Sequence, residues 1–489
     1  MDQYRREIDR IDAQLAKLLD ERLDVAAKIG SYKQLRGLPV LDENREQEKI
    51  RAFAALFAED RRDYVTGVIE AIMECSRNYQ TDNRFDYALI GKGLGHSLSP
   101  QVHKALGGYN FGLIDLGEEE LDAFFAAFPL KGITVTMPHK RAVMKYLDEI
   151  SDIAKASGSV NTIVRRPDGT LAGHNTDYRG FRYTVERSGI DITGKKCLIF
   201  GSGGVSGTVR KVLEDCGAGE IRIISRHGED NYENLSRHSD ARVLVNATPV
   251  GMYPKAGVSP ISLDMFDSCI GVFDLIYNPL RSKLILEAED RGIPAYSGLD
   301  MLVAQAAYAG LLFTGEDYTD RIEGVCEMIR RQQENIVLIG MPGSGKTVIG
   351  KELAERTGKR FVDTDEYLLE TCGKSAEEII LTEGEDAFRK YETSAIDAIG
   401  RTGGQVIATG GGVVEREENR HLLRSNGRIV YIRRDLDLLE TGGRPISSED
   451  GVEAIYKRRK DRYEAWQDLT VENHEITESA QEIKEKLGY

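Results

Sequence analysis

The feature that most constrains the fold is a glycine-rich loop that joins a short apolar run to a helix-like stretch. The run Ile336–Ile339 leads directly into G-M-P-G-S-G-K-T, which spans Gly340–Thr347. In this strand–loop–helix context, backbone N–H groups of the loop hold phosphate oxygens at the N-terminus of the helix. The motif therefore predicts an ATP-using α/β domain in the last third of the chain. The residues of the loop expected to bind the phosphates and Mg²⁺ are Gly343, Gly345, Lys346 and Thr347.

Size and composition set wider limits. The 489 residues predict roughly three domains, and 41% apolar with 30% charged residues is typical of globular protein. No apolar run approaches the ~18–20 residues that span a bilayer, and no signal-peptide core is present, so we expect a cytoplasmic protein without membrane contacts. The net charge of −15 argues against a nucleic-acid partner. The six cysteines form no C-x-x-C pair, which argues against a zinc site or a disulfide framework.

Three segments with different patterns follow one another. Residues 1–83 are helical in pattern, residues 84–331 alternate strands and helices, and residues 332–489 begin a second such alternation. The first helix is expected to run from about Asp2 to Arg36. Its apolar residues recur with a period of roughly 3.5 residues; they are Ile8, Ile11, Leu15, Leu18, Val25 and Ile29. So long a helix predicts packing against a second chain.

The segment 332–489 carries polar residues where its strands are expected to end. F-V-D-T-D places Asp363 and Asp365 after the second strand, and G-G-G at 410–412 follows the strand Gln405–Ala408. Further motifs are F-R-K-Y-E with Arg389, T-G-G-R-P with Arg444, and R-x-x-x-Y with Arg459. In this order, the motifs resemble those of shikimate kinases over residues 335–489.

The resemblance implies a role for each residue of the set. Asp363 helps to hold Mg²⁺, and Asp365 binds the acceptor hydroxyl and takes its proton. Arg444 closes over ATP and stabilises charge on the transferring phosphoryl group. The residues implied for the shikimate carboxylate and ring are Arg389, Gly411 and Arg459.

The middle segment contains a dinucleotide-binding pattern. The strand Lys195–Phe200 leads into G-S-G-G-V-S-G, then a helix at Thr208–Asp215 and a strand at Ile221–Ile224. Ser206 stands where the strict glycine fingerprint has its third glycine. Ser225-Arg226 follows the second strand, where a hydroxyl and a cation suit the 2′-phosphate of NADP. The expected cofactor residues are Gly201, Gly203, Gly204, Ser225, Arg226, Thr248 and Gly298.

Flanking motifs complete this segment. They are G-H-S-L-S-P, T-V-T-M-P-H-K, G-S-V-N-T, G-H-N-T-D, N-A-T-P-V-G-M and S-G-L-D-M-L-V-A-Q. Together they resemble shikimate dehydrogenases across residues 85–330. The resemblance implies that Lys140 and Asp177 share the acid–base role in ketone reduction, each modifying the proton affinity of the other. The implied substrate residues are Ser97, Ser99, Thr136, Asn161, Tyr277 and Gln305.

The N-terminal helices contain cations at unexpected places. Arg22 falls midway between Leu18 and Val25, where an apolar residue belongs, and Lys33 lies three turns further on nearly the same face. A buried charge must be paired or bind an anion, so this cluster suits a dianionic ligand.

Residues 1–82 resemble the all-helical chorismate mutases. That resemblance implies Arg22, Lys33 and Gln80 as catalytic residues, and a homodimer formed through the N-terminal helices, with Arg5 reaching the partner's site. The implied substrate residues are Arg5, Asp42, Arg45, Glu46 and Ser76.

The expected architecture is therefore an all-α chorismate-mutase-like dimer domain at 1–83, a two-lobed α/β shikimate-dehydrogenase-like unit at 84–331, and an α/β P-loop kinase domain at 332–489. Within the middle unit, we expect a substrate lobe at 84–185 with helices at 300–331, and a Rossmann NADP lobe at 186–299. The expected substrates are 3-dehydroshikimate, shikimate and chorismate, with NADP, ATP and Mg²⁺ as cofactors. Two alternatives stay open: the helices only dimerise or sense an effector, or the middle unit oxidises quinate with NAD.

Overall fold

The computed structural model describes residues 1–95, 97–439 and 451–489, which form two compact units. The first unit contains residues 1–155, 160–175 and 309–316. The second unit contains residues 156–159, 176–308 and 317–489. None of the described helices is both long and apolar enough to cross a membrane.

The first unit begins with three helices, α1 (Asp2–Leu35), α2 (Glu43–Ala54) and α3 (Arg62–Asp82). The prediction of one helix from Asp2 to about Arg36 is confirmed. The apolar residues of the α1 seam are all exposed within this chain, from Ile29 at 45% to Leu18 at 62%. The helices therefore leave an apolar stripe without a covering partner among the described residues.

The rest of the first unit is built around a six-stranded sheet, the first sheet, with the order β2-β1-β3-β5-β6-β4. Strands β2, β1 and β3 are parallel, whereas β5 pairs antiparallel with both β3 and β6. Its core includes Ile90, Ile133 and Ile163, which are fully buried. The strands are β1 (Tyr87–Gly91), β2 (Phe111–Asp115), β3 (Gly132–Val135), β4 (Glu149–Ile150), β5 (Thr162–Arg165) and β6 (Leu171–His174), and the helices are α4 (Ser99–Gly107), α5 (Leu121–Ala127) and α6 (Asp152–Ser157).

The second unit contains a five-stranded parallel sheet, the second sheet, with the order β11-β10-β9-β7-β8. The chain leaves β7 in one direction to form β8 and returns on the other side to form β9, so the topological switch point lies between β7 and β9. Its strands are β7 (Lys196–Phe200), β8 (Glu220–Ile224), β9 (Val243–Asn246), β10 (Gly271–Asp274) and β11 (Ala295–Tyr296). The helices are α7 (Thr176–Ser188), α8 (Ser206–Asp215), α9 (Lys283–Asp290), α10 (Leu299–Thr314) and α11 (Ile322–Gln333).

A third sheet, also in the second unit, has five parallel strands in the order β13-β14-β12-β15-β16. The central strand β12 is buried along its whole length because helices cover both faces, as is usual for parallel sheets. Its strands are β12 (Asn335–Ile339), β13 (Arg360–Asp363), β14 (Gln405–Ala408), β15 (Gly427–Arg433) and β16 (Leu469–Glu472). The helices are α12 (Lys346–Thr357), α13 (Thr364–Cys372), α14 (Ala376–Glu383), α15 (Glu385–Gly400), α16 (Glu417–Asn426), α17 (Val452–Trp466) and α18 (Ile476–Leu487).

Candidate active sites

The glycine-rich loop joins β12 to α12 at the carboxyl end of the third sheet. Gly340, Gly343 and Gly345 have φ values of 145°, 82° and 97°, which favour glycine because side chains rarely adopt them. The Nζ atom of Lys346 donates to the carbonyl oxygens of Gly340 and Met341, each at 2.9 Å. The ammonium group is thus held across the loop whose N–H groups are expected to bind phosphate.

A hydroxyl and a carboxylate meet beside this loop. Thr347 Oγ1 donates to Asp363 Oδ2 at 2.9 Å, while Asp363 Oδ1 accepts from the backbone N–H of Asp365 and caps α13. Oxygen ligands of this kind, at the carboxyl edge of the sheet, are what Mg²⁺ prefers. The residues present therefore fit a magnesium ion that also contacts nucleotide phosphates.

Two further carboxylates converge on the G-G-G turn. A Cβ atom placed on Gly410 would lie 3.1 Å from Glu392 Oε1 and 3.2 Å from Asp365 Oδ1. Glu392 is buried, and its Oε1 atom has no hydrogen-bond partner among the described residues. Burial raises the pKa of Glu392, and the charge of Asp365 adds to the shift, although Arg389 opposes it. This oriented pair of carboxylates can receive the hydroxyl groups of a substrate.

Two buried arginines flank the same turn. Arg389 donates to Glu392 at 2.9 Å, and Gly412 lies so close to its guanidinium that a Cβ atom there would overlap it. Arg459 donates through Nε to Glu415 at 2.6 Å and through Nη1 to the carbonyl oxygen of Gly411 at 3.2 Å. Both guanidinium groups are thus oriented for an anionic group held above the glycines.

Two residues that support this site, Glu415 and Asn473, were not predicted from any sequence motif. Glu415 holds three arginines together, with Arg458 and Arg462 joining Arg459. Burial opposes ionisation of Glu415, but the hydrogen bond and charge of Arg459 outweigh it, so the pKa of Glu415 is lowered. Asn473 donates to the Ser344 carbonyl oxygen at 2.8 Å and so supports the glycine-rich loop from β16. The predicted ATP residue Arg444 lies outside the described residues.

The second sheet carries a glycine loop of its own at the switch point. Gly201 follows β7 with a φ of 106°, and a Cβ atom there would lie 2.9 Å from Thr248 Cγ2, beyond the end of β9. Ser206, which replaces the third glycine of the fingerprint, donates to the carbonyl oxygen of Gly203 at 2.7 Å. The close approach of the helix is made one residue later, because Gly207 contacts the Ser157 carbonyl oxygen.

The end of β8 lies on the other side of this loop. Ser225 is half-buried and its backbone N–H donates to Asp230 at 3.2 Å, whereas Arg226 is exposed. Thr248 donates from Oγ1 and from its backbone N–H to Asn246 Oδ1, at 2.7 Å and 3.0 Å. Apart from Gly298, which follows β11, the predicted dinucleotide residues thus lie at the carboxyl ends of β7, β8 and β9, where such cofactors bind.

Three predicted catalytic or substrate residues of the dehydrogenase belong to the second unit. Asp177 is buried in the first turn of α7, and the neighbouring Thr176 lies 3.5 Å from Gln305 Oε1. Gln305 also donates to the Leu302 carbonyl oxygen at 2.9 Å, which fixes its orientation on α10. Tyr277 is half-buried in the loop after β10, and Gly298 N donates to the Ile276 carbonyl oxygen at 2.9 Å.

The first unit brings together the other predicted dehydrogenase residues. Ser97 Oγ donates to Ser99 Oγ at 3.1 Å and accepts from the Ser99 backbone N–H, so both hydroxyls lie at the N-terminus of α4. Thr136 pairs with β1 through the Ile90 carbonyl oxygen at 2.9 Å, and Lys140 is half-buried in the turn that follows. Asn161 is buried before β5, and its carbonyl oxygen accepts from Val135 at 2.7 Å.

In the helical region, Arg22 on α1 contacts α3, Gln80 on α3 faces α1, and Lys33 near the end of α1 contacts the segment before α2. Arg22 donates to Ser76 Oγ and to the Ile72 carbonyl oxygen, and Lys33 donates to the Val40 carbonyl oxygen at 2.5 Å. A Cβ atom placed on Gly30 would lie 3.0 Å from Gln80 Cγ, and Gln80 Oε1 is buried without a hydrogen-bond partner among the described residues. A buried amide oxygen without a partner among the described residues fits a polar ligand better than a structural core.

The remaining predicted residues of this region have structural partners or are exposed. Asp42 caps α2 by accepting from the Arg45 backbone N–H at 3.1 Å, and Glu46 pairs with Arg77. Arg45 and Arg5 are exposed; among the described residues, Arg45 pairs with Glu48 at 3.6 Å and Arg5 pairs with Asp2 at 3.5 Å.

The second and third sheets define two enzyme classes in one chain, a nucleotide-dependent oxidoreductase of the Rossmann type and a P-loop phosphotransferase. Family models match chorismate mutase type II at residues 4–81, the shikimate dehydrogenase substrate binding domain at residues 89–163, and shikimate kinase at residues 342–488. The shikimate dehydrogenase (NADP(+)) of Clostridium perfringens is 36% identical over 250 residues, which cover 47% of this chain and 92% of that protein. The chain belongs to the shikimate dehydrogenase family and also carries chorismate mutase and shikimate kinase domains.

A second dehydrogenase sequence agrees with this assignment. The shikimate dehydrogenase (NADP(+)) of Moorella thermoacetica is 35% identical over 260 residues, covering 47% of this chain and 88% of that protein. A crystal structure of a chorismate mutase/shikimate 5-dehydrogenase fusion protein from Clostridium acetobutylicum is 33% identical, covers 50% of this chain and 97% of that chain, and has a TM-score of 0.47. The predicted architecture of a helical region followed by two α/β enzymes is confirmed, as are NADP and ATP as cofactors.

Proposed function

We propose that this chain catalyses three reactions of aromatic biosynthesis: reduction of 3-dehydroshikimate by NADPH, phosphorylation of shikimate by ATP, and rearrangement of chorismate to prephenate. The observation that carries the proposal is the convergence of Asp365, Glu392 and Arg389 on the G-G-G turn beside a glycine-rich ATP loop. Such a set selects a small polyhydroxylated carboxylate, which is what the dehydrogenase part produces. The proposed domains are 1–83, 84–331 and 332–489, and we infer a cytoplasmic location from the use of NADPH and ATP.

In the kinase reaction, we assign the carboxylate of shikimate to Arg389 and Arg459, with Gly411 against its ring. Asp365 binds the acceptor hydroxyl and takes its proton as the oxygen attacks the γ-phosphorus of ATP. Mg²⁺, when bound at Thr347 and Asp363, neutralises charge on the phosphates. Lys346 stabilises the charge on the β- and γ-oxygens as the bond to ADP breaks, with Arg444 assigned to the same task.

In the dehydrogenase reaction, Ser97 and Ser99 are assigned to the substrate carboxylate, and Thr136, Asn161, Tyr277 and Gln305 to its hydroxyls. NADPH supplies the hydride when it is bound at the glycine loop of the second sheet. Lys140 and Asp177 deliver the proton that the carbonyl oxygen needs as it becomes a hydroxyl. The exposed cation of Arg226 and the hydroxyl of Ser225 support a preference for the 2′-phosphate of NADP.

In the mutase reaction, a pericyclic rearrangement needs only positioning and electrostatic stabilisation. Arg22 and Arg45 are assigned to the two carboxylates, while Lys33 and Gln80 stabilise charge on the ether oxygen. The apolar stripe of α1 supports a homodimer in which helices of two copies cover each other, and Arg5 then enters the partner's site. The alternative is a helical region that only dimerises or binds an effector.

One incubation tests the first two reactions together. Purified chain given 3-dehydroshikimate, NADPH and Mg·ATP is expected to form shikimate 3-phosphate. Accumulation of shikimate without its phosphate would refute the kinase assignment. Steady-state rates with quinate and NAD are then compared with those for shikimate and NADP. The quinate dehydrogenase alternative requires a preference for quinate and NAD.

Chorismate tests the third reaction. The full chain is expected to form prephenate, and Arg22→Ala is expected to abolish that formation while dehydrogenase and kinase rates remain. If Arg22→Ala changes only the response of the other two activities to chorismate or prephenate, the helical region is an effector domain.

A further inference from the structure

Within the second unit, the loop after β10 forms hydrogen bonds to a different domain at its far end. This loop, residues 275–281, contains Tyr277 and continues to Ser282 at the start of α9. Its first end is fixed inside the second sheet, because Asp274 accepts from Asn246 Nδ2 at 2.9 Å and from the Ile276 backbone N–H at 3.1 Å. Its second end rests on the third sheet, that is, on the kinase domain.

Asn426 of the kinase domain makes the central contact. Its Oδ1 atom accepts from the backbone N–H of Leu280 at 2.9 Å. Its Nδ2 atom donates to the Gly400 carbonyl oxygen at 3.1 Å and to Tyr253 Oη at 3.2 Å. The side chain is only 4% exposed, so one buried amide joins two dehydrogenase loops to the kinase backbone.

The adjacent loop residue is held in the same way. The backbone N–H of Arg281 donates to the Ser425 carbonyl oxygen at 2.9 Å, and its guanidinium donates to the Gly427 carbonyl oxygen at 2.5 Å. Consecutive backbone N–H groups of the loop, those of Leu280 and Arg281, therefore have their acceptors in the kinase domain. Buried backbone donors need such partners, so the loop depends on the kinase domain for its conformation.

The contact lies away from the ATP site. Asn426 ends α16 and immediately precedes β15, and Gly400 precedes β14, so both lie at the amino end of the third sheet. The glycine-rich loop, Asp363 and the G-G-G turn follow the carboxyl ends of β12, β13 and β14. A substitution at Asn426 can therefore disturb the dehydrogenase loop and leave the kinase site in place.

We propose that Asn426 is a positioning residue for the dehydrogenase reaction: it fixes the loop that presents Tyr277 to the substrate. The inference rests on the proposed role of Tyr277. The kinase domain is then a structural part of the dehydrogenase site. A dehydrogenase without a kinase domain would need other acceptors for the N–H groups of this loop.

The same interface provides a matched control. Arg424 pairs with Asp290 at 2.7 Å and with Glu289 at 3.2 Å, both on α9 and outside the loop. Arg424→Gln weakens the contact between the domains without removing a partner of the loop backbone. Asn426→Ala removes the acceptor of the Leu280 N–H and the donor to the Gly400 carbonyl oxygen and the Tyr253 hydroxyl.

The test is steady-state kinetics of the full chain with shikimate and NADP. Asn426→Ala is expected to raise the KM for shikimate about tenfold, to change the KM for ATP in the kinase reaction less than about twofold, and to leave the melting temperature of the chain within a few degrees. Arg424→Gln is expected to leave both KM values unchanged. A rise of equal size in Arg424→Gln, or no rise in Asn426→Ala, overturns the proposal.

A double substitution separates positioning from general loosening. In a Tyr277→Phe background, Asn426→Ala is expected to add less than about twofold to the KM, because both changes affect one interaction. Full additivity overturns the proposal. If the wild-type chain does not oxidise shikimate, the dehydrogenase assignment itself is refuted. That outcome differs from the kinetic results that overturn only the role of Asn426.

Discussion

Gly411→Ala tests whether the G-G-G turn and the ATP loop form one rigid site. A Cβ atom at Gly411 would lie 2.6 Å from Pro342 Cδ and 2.9 Å from Pro342 N, in the glycine-rich loop. Ordinary contact begins near 3.4 Å, so the loop and the turn must separate by about 0.8 Å. Pro342 cannot rotate away, because its ring is part of the backbone.

The carbonyl oxygen of Gly411 is also fixed from the other side. It accepts from Arg459 and from the Tyr463 hydroxyl, so moving the turn displaces the arginine assigned to the shikimate carboxylate. Misplacement of reacting groups by about 1 Å costs roughly 100-fold in rate, or about 2.7 kcal/mol. We therefore expect the kinase kcat/KM for shikimate to fall about 100-fold, while the dehydrogenase rate of the same protein is unchanged.

The assay contains its own control, because both activities are measured on one preparation. Gly324→Ala is the matched variant, since a Cβ atom at that position of α11 contacts nothing within 4 Å. It should leave both activities at the wild-type level. A kinase kcat/KM for Gly411→Ala within about threefold of wild type would show that the turn and the loop move independently, contrary to this reasoning.

Three further predictions concern other parts of the chain. Burial raises the pKa of Asp274 from 3.8 to about 7, so the folded protein keeps a proton that the unfolded chain releases, and stability falls as pH rises from about 4 to 7. Asp274→Asn should remove about 3 kcal/mol of this fall between pH 5 and pH 8, measured by urea unfolding at those two pH values, and an unchanged pH slope would contradict it. Thr347→Val should weaken the binding of Mg²⁺, so that a titration with MgCl₂ reaches half-maximal kinase activity at a higher concentration. It should also lower kinase activity at least about tenfold without affecting shikimate oxidation. Leu15→Glu should convert the proposed homodimer to monomers in sedimentation, whereas a dimer that persists would place the contact between copies elsewhere.

The sequence predicted the local structure well, because each motif is short and self-contained. The helix predicted at about Asp2–Arg36 is observed at Asp2–Leu35, and the strand predicted at Ile336–Ile339 is observed at Asn335–Ile339. Helix α8 begins at Ser206, two residues before the prediction, because Ser206 folds back onto Gly203. Periodicity and glycine placement are properties of neighbouring residues, so they indicate such elements directly.

Contacts between distant segments could not be predicted in the same way. Glu415 collects arginines more than 40 residues away in sequence, and Asn426 reaches Leu280 across 146 residues. Neither residue differs from an ordinary surface glutamate or asparagine in its local pattern. Only the packing of complete domains gives them partners, and that packing depends on many small contacts that no short motif encodes.

The contact of Leu280 and Arg281 with the kinase domain has a consequence for the order of events during synthesis. The ribosome completes the dehydrogenase region well before residues 400–427, which supply the acceptors for these two N–H groups. Domains fold as units while the chain grows, so the dehydrogenase first folds with its Tyr277 loop unsupported. The kinase domain, which is synthesised after the dehydrogenase, then supplies the acceptors for Leu280 and Arg281, and a chain released before residue 400 would lack that support.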